Sequence, residues 1–149
     1  MPVGDLCNRE VVIADKNLPI TDAAQRMRAH HVGDLIVVEG RAAQRYPVGI
    51  LTDRDIVVEV VAAGVNPEAL KLGDIMGTQV ARVRESAGLF EAMRYMRDLG
   101  VRRMPVVDAA GALVGILTLG DLLELLAEEL GELARLVVRE RQRELAARR

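Results

Sequence analysis

The sequence predicts an α+β (α/β) protein built from two copies of one β-α-β-β-α unit, followed by a long C-terminal helix. Three observations carry that expectation. First, the chain matches itself at an offset of 69 residues, which pairs Gly4-Asp5 with Gly73-Asp74, Ala23 with Ala92, Met27-Arg28 with Met96-Arg97 and Val37-Val38 with Val106-Val107. The offset then falls to 66, laying Gly49-Ile50-Leu51-Thr52 over Gly115-Ile116-Leu117-Thr118 and Asp55 over Asp121. Second, short β-branched runs alternate within each copy with stretches of helical period. Third, no proline interrupts the leucine-rich run after Asp121. The copies are expected at 1–66 and 67–130, with an extension at 131–149.

In the first copy, Val11-Val12-Ile13-Ala14 reads as a strand and Lys16-Asn17-Leu18-Pro19 as the turn after it. Thr21-Asp22 stands where it can cap a helix whose apolar positions are Ala23, Ala24, Met27 and His31, ended by Val32-Gly33-Asp34. The β-branched run Leu35-Ile36-Val37-Val38 suits a buried strand. Three extra residues in one loop, in the stretch from Gly40 to Arg45 including Ala43, which is longer than its counterpart at Ala109 to Ala112, account for the change of offset, since insertions are tolerated at loop tips. Val48 to Thr52 forms a third strand. Asp53-Arg54-Asp55 then opens a helix through Ile56, Val57, Val60 and Val61 to a stop at Gly64. In the second copy the same parts fall to Val80–Val83, Leu89–Leu99, Met104–Val107, Leu113–Thr118 and the residues from Asp121 onward.

Composition narrows the function classes. A chain of 149 residues has room for one domain or two very small ones. Twenty Lys and Arg against 22 Asp and Glu, a net charge of −2, supply no basic surplus for a phosphate backbone. With Tyr46, Phe90 and Tyr95 as the only aromatic residues, base-stacking platforms are nearly absent, and the core must be aliphatic. Nucleic acid is therefore not an expected partner. Cys7, the single cysteine, cannot form an internal disulfide and with two histidines falls short of a structural zinc set, which fits a reducing compartment. The start Met1-Pro2-Val3-Gly4-Asp5 lacks a basic and an apolar leader region, and no window reaches the roughly 18 apolar residues of a membrane span. A cytoplasmic protein with no membrane span is expected. No nucleophile–base pair and no metal-ligand spacing stand out, so the sequence predicts no enzyme and no required cofactor.

The repeated segment carries chemistry. Asp55 and Asp121 sit one turn into a helix, where a carboxylate can accept from both hydroxyls of a cis-diol. Thr52 and Thr118, at the strand end just before, can donate to a phosphate oxygen, and the backbone N–H groups of the helix start add donors. Helix capping alone also explains an Asp at this place, and a β-branched strand end explains the Thr.

The repeated G-I-L-T-x-x-D segment, the run G-V-R-R-M-P-V-V-D from Gly100 to Asp108 and the run Asp74-Ile75-Met76 together resemble the CBS-domain family in its tandem form, from about Val3 to Leu130. The resemblance implies two units packed sheet to sheet about a pseudo-two-fold axis, with two clefts between them. It also implies a regulatory module for adenine nucleotides, with S-adenosylmethionine or NAD in some members, and not a catalyst. It gives the Asp to ribose and the Thr to the phosphate side. One implied site takes Asp121, Thr118, Ile116 and Arg102 with Leu18 and Ala23; the other takes Asp55, Thr52 and Ile50 with Ala87 and Ala92. Arg102-Arg103 stands where the first copy has Gly33-Asp34, so the Asp121 cleft is expected to hold phosphate more tightly. Arg54, opposite Gly120, offers the other cleft a cation. Ile36 in place of Pro105 marks a departure at one strand start. AMP, ADP or ATP is the expected ligand.

The competing expectation is an oligomerisation scaffold with vacant clefts that binds an unidentified partner protein. His30 and His31 point about 100° apart on a helix and do not chelate one ion from one face. Cys7 aligns with Met76 and reads as a small buried hydrophobe. From Leu122 to about Leu145 the chain forms an amphipathic helix through Leu126, Leu130, Leu133 and Val137. Its start is acidic (Glu124, Glu128, Glu129, Glu132) and its end basic (Arg139, Arg141, Arg143, Arg148, Arg149) with Glu140 and Glu144 interspersed, the order that the helix dipole favours. Such a stripe needs a partner, and a homodimer is expected.

Overall fold

A computed structural model describes residues 1–42 and 44–148 of the chain; Ala43 of the expected loop and Arg149 of the basic end lie outside the described residues. The chain divides into two compact units, Met1–Leu117 and Thr118–Arg149.

The first unit carries α1 (Val3–Leu6), β1 (Ile13–Ala14), α2 (Ile20–His30), β2 (Asp34–Arg41), β3 (Gln44–Thr52) and α3 (Asp53–Ile56). A π-turn (Val57–Val61) and a 3₁₀ turn (Pro67–Ala69) lead to α4 (Leu72–Ile75), β4 (Val83–Arg84), α5 (Leu89–Leu99), β5 (Arg103–Val107) and β6 (Leu113–Thr118). Each repeat makes one three-stranded sheet, in the orders β1-β2-β3 and β4-β5-β6. β1 runs parallel to β2, with Ile13 opposite Ile36, and β4 runs parallel to β5, with Val83 opposite Val106. A parallel neighbour requires a crossover, and α2 and α5 supply it. β2 and β3 pair antiparallel from Asp34–Thr52 to Arg41–Gln44, with a bulge between Val37 and Val38.

Because strand side chains alternate, each sheet presents two faces. On one face of the first sheet, Leu35, Val37 and Leu51 pack against Ile20, Ala23 and Met27 of α2 and against Val60 and Leu72. On the other, Ile36 and Val38 meet Ile116 of β6, with Ile13, Ile50 and Leu113 around them. The two repeats therefore join through their sheets over an aliphatic core, and isolated bridges repeat the two-fold relation in the backbone. Asn8 bridges to Ile116 and Gly77 to Ile50, while Pro2 bridges to Gly88 and Lys71 to Pro19. Under the sequence repeat each bridge is the image of its mate. The arm before each first strand thus reaches across to the third strand of the other repeat.

This crossing explains the glycine of the repeated segment. A Cβ on Gly115 would lie 2.7 Å from Cys7 Sγ and 2.8 Å from the Asn8 carbonyl oxygen; on Gly49 it would lie 2.5 Å from Met76 Sδ. Both are closer than real contacts allow; at Gly115 the close atoms include the Asn8 backbone, so a bare backbone is what lets that arm seat, while at Gly49 the closest atom ends a flexible side chain. Cys7 is correspondingly buried, as its alignment with Met76 predicted.

Local elements differ from expectation in several places; the first strand of each repeat, expected at Val11–Ala14 and Val80–Val83, forms only at Ile13–Ala14 and Val83–Arg84. α2 begins at Ile20 behind Pro19 and no side chain caps it, so the expected Thr21-Asp22 cap is not formed; Thr21 lies inside the first turn with its buried Oγ1 unpartnered. In the expected loop at Gly40–Arg45, Gly40 pairs with Arg45 and Arg41 with Gln44, so the β2–β3 ladder extends into it, and Gly40 (φ +99) and Ala42 (φ +53) take positive φ values there. α2 ends at His30, ahead of the expected Val32-Gly33-Asp34 stop. His31 takes the left-handed conformation there (φ 52, ψ 42), which Gly100 provides at the same place after α5.

The second unit is α6 (Leu119–Ala147), a single uninterrupted helix of 29 residues in which Leu122 is the buried side chain. Among the described residues no helix is long and apolar enough to cross a membrane.

Candidate functional site

The two junctions singled out from the sequence fold identically. Each third strand ends in a threonine with extended backbone, and the helix begins at the next residue. In the first unit Asp55 N–H donates to Thr52 Oγ1 at 3.1 Å, while Thr52 N–H donates to Asp55 Oδ2 at 2.9 Å. In the second unit Asp121 N–H donates to Thr118 Oγ1 at 3.2 Å, and Thr118 donates to Asp121 Oδ2 from both its N–H (2.8 Å) and its hydroxyl (2.7 Å). These are reciprocal capping boxes, which satisfy two otherwise orphaned donors at each helix start. The capping role of both aspartates is thus present. It occupies Oδ2 alone, leaving Oδ1 of each carboxylate with no hydrogen bond among the described residues.

Two concavities of the first unit are images of each other under the repeat. One, of about 600 Å³, is lined by Asn8, Glu10, Val11, Val12, Arg26 and His30, among others. Its mate, of about 380 Å³, is lined by Gln79, Val80, Ala81, Tyr95, Leu99 and Val101. They flank the arms whose backbones hold Ile116, through Asn8, and Ile50, through Gly77. Sequence reasoning did not single out Glu10 or Arg26, and weighed His30 only with His31 as a metal-binding pair. Arg26 sits at the rim with Nη1 donating to the Ile13 carbonyl at 2.8 Å, and its repeat mate is Tyr95, so the polar lining of one cleft has no echo in the other to reveal it. A third cavity, of about 460 Å³, gathers Ala87 and Ala92 with Arg82, Arg84, Ser86, Glu91 and Tyr95.

The expected site residues therefore fall into groups. Ala87 and Ala92 share one cavity, and Thr52 and Asp55 share one cap, but none of these three linings includes Thr52 or Asp55. Ala23 is fully buried in the core beneath α2, and Leu18 packs on the same core. Arg54 and Arg102 are exposed. Thr118 and Asp121 open the second unit.

Arg103 is committed elsewhere. Its Nη1 donates to Asp34 Oδ1 at 2.7 Å, and both side chains are largely shielded from solvent. Residues 34 and 103 are the same position in the two repeats, so this ion pair joins the repeats at symmetry-equivalent points. Burial raises the Asp34 pKa above its ordinary value; the Arg103 charge and hydrogen bond pull it down, and the nearby Asp53 carboxylate raises it. At Asp34 burial outweighs pairing. The sequence displayed the contrast of Asp34 with Arg103, but only the two-fold packing turns that contrast into a contact.

A CBS domain model matches residues 3–62 and again 72–128. The chain belongs to the CBS-domain family. It is 37% identical over 122 residues to an uncharacterized protein of Methanopyrus kandleri, a match covering 82% of this chain and 61% of that one, so the chain spans less than two thirds of that relative. It is 35% identical over 124 residues to hypoxic response protein 1 of Mycobacterium tuberculosis, covering 83% of this chain and 84% of that one. The crystal structure of Hypoxic Response Protein I, described with two coordinated zinc ions, superposes with a TM-score of 0.70 at 33% identity over 83% of this chain and 98% of that one. The CBS domain pair of protein MJ0100, in complex with 5-methylthioadenosine and S-adenosyl-L-methionine, superposes with a TM-score of 0.74 at 25% identity, covering 87% and 98% of the two chains. CBS pairs are regulatory modules, and some bind adenosine ligands. Two repeats packed sheet to sheet with a long terminal helix are the architecture of such a pair.

Proposed function

We propose that this CBS pair is a ligand sensor, not a catalyst, that binds an adenine nucleotide (AMP, ADP or ATP) and passes occupancy on through self-association. The repeats at 1–66 and 67–130 form the sensing body and 131–149 the extension, acting in the cytoplasm on a protein target. One observation carries the reading: both repeats place an aspartate at a strand-to-helix junction with one carboxylate oxygen spent on the cap and the other unengaged. An oriented, partly shielded carboxylate oxygen beside a helix start suits a ribose hydroxyl. Ile50 of the third strand, partly exposed, offers apolar surface for the base, and Ile116, buried between the sheets, backs the equivalent place in the second repeat. Arg102 and Arg54, which make no ion pair among the described residues, offer charge to phosphate, with Arg102 the stronger expectation. Arg103 contributes by holding the repeats together through Asp34, and its release on binding is one route for occupancy to change the packing. The adenosine ligands of the MJ0100 pair support the choice of ligand class.

The test is a thermal-shift titration of the full chain with AMP, ADP and ATP at up to about a millimolar, repeated on Asp55→Asn and Asp121→Asn. A ligand present at 100 times its Kd stabilises the folded state by about 2.7 kcal/mol. The quantity read is the ligand-induced shift, not the melting temperature, because Asn at position 121 also alters a cap. Expected is a nucleotide-dependent rise in the wild type that is lost in the Asp121→Asn variant first. No shift with any of the three nucleotides overturns the reading in favour of a scaffold with vacant clefts.

A further inference from the structure

α6 carries an apolar seam most of which stands exposed. Leu119, Leu123, Leu126, Leu130, Leu133 and Val137 follow one another at alternating steps of four and three residues. Leu123, Leu130, Leu133 and Val137 stand 58%, 66%, 61% and 60% exposed. This spacing keeps the six side chains in one narrow stripe along the helix, which a second helix laid alongside covers. Beyond Val137 the seam turns polar at Glu140 and Glu144, which limits the pairing to the middle of the helix.

Charge identifies the partner and its direction. From Leu119 to Leu133 the helix carries Asp121, Glu124, Glu128, Glu129 and Glu132 and no cation; from Ala134 to Arg148 it carries Arg135, Arg139, Arg141, Arg143 and Arg148 against Glu140 and Glu144. Arg135 and Glu132, at the boundary, already pair within the helix. A second α6 laid parallel sets the acidic half against the acidic half. Laid antiparallel, it sets each acidic half against a basic one and also opposes the two helix dipoles.

We propose that α6 is the dimerisation element and pairs antiparallel with α6 of a second copy of this chain, crossing near Leu133. The inference rests on the self-association included in the proposed function and specifies its surface and its direction.

Light scattering on the full chain gives the mass, and spin labels give the direction. Single cysteines replace Glu124, Arg135 or Arg143, all exposed, in a Cys7→Ala background, and distances are read by double electron-electron resonance. Antiparallel pairing near Leu133 places the two position-135 labels closest. At 1.5 Å of rise per residue, it separates the position-124 pair and the position-143 pair each by about 30 Å along the axis. Leu130→Glu with Leu133→Glu is expected to raise the dimer dissociation constant by roughly a hundredfold or more while leaving the circular dichroism of the folded chain intact. Short distances at all three positions mean a parallel pair and overturn the proposal. A dimer that survives Leu130→Glu with Leu133→Glu places the interface elsewhere and overturns it too, with self-association still standing. A monomer at all concentrations overturns both.

Discussion

Substituting Gly115 by alanine tests whether the repeats are locked by the crossing of each arm over the other repeat's third strand. In most strands this change is mildly favourable, since alanine restricts the unfolded chain and contributes about 0.4–1 kcal/mol. Here the new Cβ meets Cys7 Sγ at 2.7 Å and the Asn8 carbonyl oxygen at 2.8 Å, and Asn8 is held there by its two backbone hydrogen bonds to Ile116 at 2.9 and 2.8 Å. The backbone must move, and overpacking of this kind costs about 1–3 kcal/mol. The net expectation is a loss of about 1–2 kcal/mol, which for a chain of this size lowers Tm by roughly 3–8 °C. Gly49→Ala is the internal control. Its nearest neighbour, at 2.5 Å, is the Met76 sulfur on a flexible side chain, and the Gly77 carbonyl is 3.2 Å away, so Met76 can swing aside. Its net effect is expected within about 1 kcal/mol of zero. Adding Cys7→Ala to Gly115→Ala removes the sulfur contact but not the Asn8 carbonyl, and recovers the loss only in part. Urea unfolding followed by circular dichroism gives the comparison. A Gly115→Ala protein as stable as the wild type, or less perturbed than Gly49→Ala, refutes the account of the repeated glycine.

Two further outcomes follow from single side chains. Burial raises the pKa of Asp34, so the folded chain holds that proton more tightly than the unfolded one; this contribution is fully present below the ordinary carboxylate range and is lost as pH climbs through the raised value. The stability of the wild type minus that of Asp34→Asn should therefore fall as pH climbs from below the ordinary carboxylate range through the raised value, and a difference that stays flat or grows with pH contradicts the assignment. His31 ends α2 in the left-handed region at φ 52, where the second repeat uses Gly100. A non-glycine residue gives up roughly 1–2 kcal/mol there, so His31→Gly should stabilise the chain by some tenths to about 1 kcal/mol after the entropy of glycine is counted, and a lower urea midpoint rules this out.

Much of the fold was legible because hydrophobic period and turn residues act locally. The extents of α5 and β6, the start of the last helix behind Thr118 and the whole two-fold repeat all follow from patterns that neighbouring residues carry. Thr52–Asp55 and Thr118–Asp121 were legible for the same reason: a capping box closes over four consecutive residues. Where local signals compete, the outcome depended on the rest of the molecule. Thr21-Asp22 looks like a cap, yet Pro19 and the bridge of that segment to Lys71 start α2 earlier and bury the Thr21 hydroxyl. The Gly40–Arg45 segment looks like a loop, yet the β2–β3 ladder extends into it.

The sequence by itself determined the family, the two-fold architecture, the paired junctions and the apolar seam of α6, since each is written in residue identities a few positions apart or repeated at one offset. Only the tertiary structure decided what those residues face. It brought Asp34 against Arg103 from 69 positions away, turned the glycine of the repeated segment into the floor beneath Cys7 and Met76, and sorted the expected site residues between cavity, core and cap. Contacts between distant segments depend on the packing of two sheets, and no local pattern in the chain carries that information.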